Sequence, residues 1–254
     1  DKVKGVKTPK VEVVQGNIGK KEDLLKALDG VNGVCMLGSP HDEDPGKEVD
    51  QGKAVIDACL NKSVGHVVYV SVCCSNKRTG VPHFDAKHEV EEYLKSSGLS
   101  WTILRPAWYM ENFTPKTYLS SIEKGVLSMP LRPDKTLQLV SAADVGRIVA
   151  EAFTVPDKLA GREIDLAADK LTMEAIAEEI SLIMPKKVRY EQVSASDAAK
   201  GMDRDVAVMF KWMDEHGFDA DIVMAQSLLK RYEIPLTSFR EYLDRSREEF
   251  RKAA

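Results

Sequence analysis

Three stretches of this sequence are apolar almost without interruption: Gly33-Val-Cys-Met-Leu37, His66-Val-Val-Tyr-Val70 and Trp101-Thr-Ile-Leu104. A strand with one face in water alternates apolar and polar residues, whereas a strand covered on both faces does not. Between these runs lie segments with near-helical apolar spacing: Val49, Val55, Ile56 and Cys59, then Ala86, Val90, Tyr93 and Leu94. Strands alternating with helices predict a doubly wound α/β fold, in which crossover helices cover both faces of a parallel sheet. Ligands of such sheets bind beyond the carboxyl ends of the strands.

The same spacing rules predict a strand over Val11–Gln15 and a helix over Lys20–Leu28. The texture changes after Asn112. A helix is expected around Thr117–Glu123, short strands near Val126 and Leu137, a helix over Ala143–Phe153 and a strand at Glu163–Leu166. The last third reads as helices over Thr172–Ile183, Asp203–Glu215 and Ser238–Phe250, with a strand-like Val188–Val193 among them. Ser238 with Glu241 forms a capping-box pattern. The expected organisation is a core over residues 1–140 and a smaller mixed α/β lobe over 141–254, interleaved with the core and forming the substrate or partner side.

Composition narrows the function classes. An apolar fraction of 43% over 254 residues supports a full core, and a net charge of −4 offers no basic excess for direct nucleic-acid binding. No apolar run approaches the about 20 residues that span a bilayer. The opening DKVKGVKTPK lacks the apolar centre of a secretory signal, so a cytoplasmic protein away from the membrane is expected. Cys35, Cys59, Cys73 and Cys74 form no C-x-x-C pair, and no metal site is expected. Cys35 and Cys59 read as buried small hydrophobes.

The segment HFDAKHEVEEYLKSSGLSWTILRPAWYMENF, from His83 to Phe113, carries the most chemistry. It gives a helix with His83 and Lys87 one turn apart, a buried strand, and a loop ending in Tyr109-Met110-Glu111-Asn112. That order sets polar and aromatic groups where a parallel sheet ends. Ser71 closes the preceding strand in the same region and is a candidate cofactor contact, with a helix or turn cap as the alternative.

This segment, together with VEVVQGNIGKKEDLLKALDGVNGVCML upstream and SAADVGR and MFKWMDEHGFDAD downstream, resembles the NmrA-like atypical short-chain dehydrogenase/reductases of the HSCARG type. The resemblance implies an NAD(P)-binding Rossmann-like core with a small lobe, and NADP (NADPH) as cofactor. It implies that Lys87 contacts the nicotinamide ribose. Tyr109, Met110, Glu111 and Asn112 would line the nicotinamide end, Asn17 and Ile18 would meet the adenine, and Gly38, Ser39 and Pro40 would pass along the cofactor. An ammonium with three donors is suited to vicinal ribose hydroxyls.

Two departures matter. Classical short-chain dehydrogenases carry Tyr-x-x-x-Lys, and here His83 stands at the Tyr position. An imidazole is a general acid near neutral pH, so His83 or Tyr109 is a candidate proton donor with Lys87 beside it. No Gly-rich strand-loop-helix opening precedes Val11. The core is therefore expected to be incomplete at the front, either because the chain is a piece of a longer protein or because the nucleotide site has been lost; the cofactor-shaped residues downstream favour the first.

Three functions follow. The first is a redox-sensing regulator in which NADP(H) occupancy alters association with a protein partner. The second is an NAD(P)H-dependent reductase of a small carbonyl or quinone-type substrate, and the third a non-enzymatic interaction protein without cofactor. His83 in place of Tyr favours the first over the second.

Overall fold

The computed structural model describes residues 10–38, 44–113, 119–194, 197 and 204–252. The apolar runs form β1 (Gly33–Leu37), β2 (His66–Val70) and β3 (Trp101–Pro106), which pair in parallel in that order. β7 (Arg162–Leu166) pairs in parallel with β3 and completes a four-stranded sheet, with Ile103 opposite Glu163 and Arg105 opposite Asp165.

Burial on both faces explains the unbroken apolar pattern of β2 and β3. Side chains of β2 and β3 alternate between two cores. Val67, Tyr69 and Ile103 pack with Val55, Ile56 and Cys59 of α2 (Pro45–Asn61) and with Val90 and Leu94 of α3 (Pro82–Ser96). Val68, Val70 and Leu104 face the other way, onto Val145, Ile148 and Ala152 of α5 (Ala142–Thr154). The doubly wound α/β fold is the one expected from the sequence.

The helix starts have local causes. Asp44 accepts a hydrogen bond from the Gly46 amide, and Pro45 occupies the first position of α2, where its missing N–H costs nothing. Ser141 caps α5. Ser238 and Glu241 exchange the reciprocal bonds of a capping box before the terminal helix (Phe239–Lys252). Helix α2 crosses α3 closely because Gly52 has no side chain. A Cβ there would lie 2.6 and 2.8 Å from the two methyls of Val90. Valine is stiff at χ1 and cannot swing away. Gly52→Ala is therefore expected to destabilise the protein by about 1–3 kcal/mol, against the gain a Gly→Ala change usually gives within a helix. Urea unfolding checks the sign.

Beyond β3 the chain turns through Ala107 into β4 (Trp108–Tyr109) and a 3₁₀ turn at Met110–Phe113. β4 lies parallel to β6 (Thr136–Val140), which pairs antiparallel with β8 (Asp169–Thr172). β5 (Val126–Met129) pairs in parallel with β9 (Arg189–Gln192). With α7 (Met173–Ser181), α8 (Arg204–Glu215) and the terminal helix, these enclose a core of Phe84, Phe113, Phe210, Phe218 and Phe239. After residue 140 the chain returns to the main sheet through α5 and β7.

Three local expectations are corrected. Val11–Gln15 forms no strand: it has no ladder partner among the described residues, and Val11, Val13 and Val14 are exposed. Cys35 is exposed, because it lies on the uncovered side of β1 at the sheet edge. A helix absent from the sequence reading, α9 (Ile222–Lys230), starts at Asp221, whose carboxylate accepts from the Met224 amide. Val223 and Met224 are exposed while Ala225 and Leu229 are buried, so apolar residues on both faces blur its periodicity.

Candidate functional site

A cavity of about 440 Å³ opens where β1, β2 and β3 end. Its floor comes from the strand ends: Leu37 and Gly38, Val70 to Val72, and Pro106 to Tyr109. The first turns of α3 contribute His83 and Lys87, which share a helix face at four-residue spacing. Asn112, Met209 and Phe218 enclose it from the lobe. The loop entering α3 is tied down by Asp85, which accepts hydrogen bonds from the amides of Thr79 and Gly80, both at 3.1 Å.

Lys87 is not a snorkelling surface residue. It is 7% exposed and forms an ion pair with Glu48, itself 5% exposed, from the first turn of α2. Gly38 makes room for the pair: a Cβ on that residue would overlap the Glu48 carboxylate and the Lys87 ammonium. Glu48 also lines a second cavity of about 260 Å³, with Ile18, Met36 and Tyr69. Leu37 and Gly38 border both cavities, so the two lie side by side along the strand ends.

Nδ1 of His83 lies 2.6 Å from an Asp205 carboxylate oxygen on α8. Burial pushes the imidazole below its ordinary value, and Asp205 opposes that shift. The Tyr109 hydroxyl is pushed up to about 12 by burial first, then by the negative charge of Glu111 and by Cys35. It is a neutral phenol at physiological pH. The Trp108 indole N–H is buried with no hydrogen-bond partner among the described residues.

Of the residues singled out in the sequence, His83, Lys87, Tyr109, Asn112, Ser71 and Gly38 meet in the larger cavity, and Ile18 lines the smaller. Asn17 lines neither; its side chain accepts from the Gly19 amide in the turn before α1 (Lys21–Ala27). Met110 is fully buried in the lobe core. Glu111 accepts from the Ser141 hydroxyl and the Ala142 amide at the start of α5. Ser39 and Pro40 lie outside the described residues. Glu48 and Asp205 were missed. They stand 39 and 122 residues from their partners, and in sequence each looks like an ordinary acid in the first turn of a helix.

Beneath the cavity, Arg105 makes a two-pronged contact with Glu91, at 3.0 and 2.7 Å, and Ser75 donates to the same carboxylate at 2.8 Å. Burial raises the Glu91 carboxyl, but Arg105 and the hydroxyl bonds outweigh it and hold the group below its usual range. Cys73 and Cys74 are buried nearby, and Cys74 donates to Asp219 at 3.1 Å. The adjacent Cys74 thiol, and then burial, push the Cys73 thiol far up, which disfavours the thiolate. Among the described residues there is no cluster of metal-ligating side chains and no helix long and apolar enough to cross a membrane.

The NmrA-like family matches residues 1–243. The chain belongs to the NmrA-like family. An NmrA-like family domain-containing protein of Dictyostelium discoideum is 27% identical over 241 residues, covering 88% of this chain and 78% of that protein. The structure of an NADPH-dependent quinone oxidoreductase of Escherichia coli, complexed with NADPH, superposes with a TM-score of 0.74 at 25% identity, over 92% of this chain and 83% of that one. NmrA itself, a negative transcriptional regulator in complex with NAD, gives 0.73 at 21% identity over 92% and 80% of the two chains, a likeness of fold. The chain spans between 57% and 78% of the length of curated relatives such as the Dictyostelium protein. The mixed α/β architecture with its parallel sheet matches the Rossmann-like folds of these neighbours.

Proposed function

We propose that the cleft beyond β1 to β3 binds a nicotinamide dinucleotide and serves the reduction of a small carbonyl or quinone-type substrate. The observation that carries this reading is the meeting of His83, Lys87, Tyr109 and Asn112 in one cavity at the strand ends. Its volume lies within the about 300–1,000 Å³ of small-molecule sites. The residues present fit a nicotinamide ribose. Lys87 offers an ammonium with three donors. The neighbouring cavity beside Ile18 suits the adenine end. The Escherichia coli reductase, at 25% identity, supports both the cofactor class and the reaction class.

A reduced nicotinamide bound here supplies a hydride. Lys87 holds the ribose hydroxyls and Glu48 balances its charge. His83 gives a proton to the substrate oxygen from its imidazolium form, which burial disfavours and Asp205 supports. Trp108, Phe218 and Met209 exclude water. NADPH is the expected form. The cofactor side then comes mainly from residues 1–140 and the substrate or partner side mainly from 141–254, the two interleaved through α5 and β7. The four cysteines are free, which suits the reducing cytoplasm.

A second reading is a redox-sensing regulator, in which occupancy by NADP(H) changes association with a protein partner. The buried Lys87–Glu48 pair favours it: a ribose taking donors from Lys87 loosens that pair and reaches α2. Fluorescence titration with NADPH and with NADH, followed by turnover with 1,4-benzoquinone, separates the readings. Saturable NADPH binding with quinone-dependent oxidation is the expected result. Binding without turnover favours the regulator, and no binding of either nucleotide removes both.

A further inference from the structure

We infer that Asp205 is the positioning residue for His83, an inference that rests on the cleft reading above. Asp205, Met209 and Trp212 follow one another at spacings of four and three residues, so they share one face of α8. That face lies on the start of α3. The Asp205 carboxylate meets His83 Nδ1 at 2.6 Å, Met209 lines the cavity beside it, and Trp212 packs edge-on against Phe84 with centroids 5.8 Å apart. The Phe84 ring also meets the His83 ring edge-to-face at 4.7 Å. The imidazole is thus held on two sides.

A carboxylate only accepts hydrogen bonds, so the Asp205 contact requires the hydrogen on Nδ1. Nε2 is then the nitrogen that gains and loses a proton. Three charged groups act on the ring: Asp205 from α8, Lys87 from α3 itself and Glu48 from α2. The two carboxylates support the imidazolium, while Lys87 and burial oppose it. In the reduction, the electron pair arrives with the hydride of a reduced nicotinamide dinucleotide. The carbonyl π pair moves to oxygen, and the Nε2 proton of the imidazolium passes to that oxygen. The ring is left neutral with Nδ1–H still on Asp205, and solvent restores the Nε2 proton. Because Asp205 belongs to the lobe, this alignment exists only while α8 is seated on α3.

The test begins on cofactor-free protein. Its five histidines, labelled with ¹⁵N, are followed by NMR, with His83→Gln to assign the signal. Wild-type His83 is expected in the Nδ1–H form. Asp205→Asn, nearly isosteric, should move its titration to lower pH, and Asp205→Ala should abolish the preference for Nδ1–H. With NADPH and 1,4-benzoquinone, Asp205→Asn should lower kcat about 10- to 100-fold, less than the about 10²- to 10⁴-fold attributed to a general acid itself. NADPH affinity should be unchanged, and Asp205→Glu should recover part of the rate. An unaltered His83 tautomer and titration in Asp205→Ala, with NADPH binding intact, would overturn the role of Asp205 alone. Wild-type protein that shows the Nδ1–H form yet fails to bind NADPH would overturn the cleft reading, and with it the part Asp205 plays in turnover.

Discussion

Arg105→Met is expected to destabilise the protein by about 3–5 kcal/mol, the loss typical of removing one partner from a buried ion pair. Arg105 is 3% exposed, and its guanidinium joins Glu91 of α3 to Glu163 of β7. Without it Glu91, fully buried, keeps the Ser75 hydroxyl and a 3.3 Å contact to His88. That leaves a carboxylate in the interior without its main counter-charge. The sign of the pH effect follows. In the wild type the Glu91 carboxyl is held below its ordinary value, so its contribution is present above the ordinary carboxylate range and is lost as pH falls through the depressed value. In the variant, burial raises it with only the hydroxyl bonds of Ser71 and Ser75 left to oppose it. Protonation then relieves the buried charge, so the gap between variant and wild type should narrow on acidification. Urea unfolding at pH 7 and pH 5 measures this. A gap that stays constant would mean that lost packing, not charge, is responsible.

The second large effect concerns Lys87. Lys87→Met is expected to weaken NADPH binding at least tenfold, as the loss of a charged hydrogen-bond donor to the ribose implies. It also strands Glu48 in the interior, at a stability cost of about 3–5 kcal/mol. The two effects separate in the double variant Lys87→Met, Glu48→Gln. Removing both charges should restore much of the stability without restoring NADPH affinity. Thermal unfolding and fluorescence titration of the wild type and both variants give the answer. Affinity that recovers with stability would show that Lys87 acts through the fold and not on the ligand.

The fold was legible where one physical rule acted alone. The runs at 66–70 and 101–104 announced strands covered on both faces because they are apolar almost throughout, whereas 33–37 reads the same way but has one side open at Cys35 and Leu37. The His83–Lys87 pair was legible because four residues along a helix is one turn. Legibility ended where the structure depends on contacts between distant elements. Glu48 resembles any acid near a helix start until Gly38 brings β1 beneath it. Asp205 becomes informative only once α8 lies across α3. Val11–Gln15 shows the converse. Its residues favour a strand, but a strand needs a hydrogen-bonded neighbour, and none is present among the described residues.

Helix α3 belongs to two interiors at once. Phe84, in its first turn, is packed among the aromatics of the lobe, while Val90 and Leu94 are packed under the sheet. Lys87 lies between them, and Glu91 follows Val90. A single rigid rod therefore carries the lobe's position to the sheet, with the cleft residues mounted near its pivot. The ring contacts of Trp212 and Phe218 on Phe84 therefore bear on the same helix that presents His83 and Lys87 to the strand ends, and a change of either ring reaches the cleft through the seating of that helix.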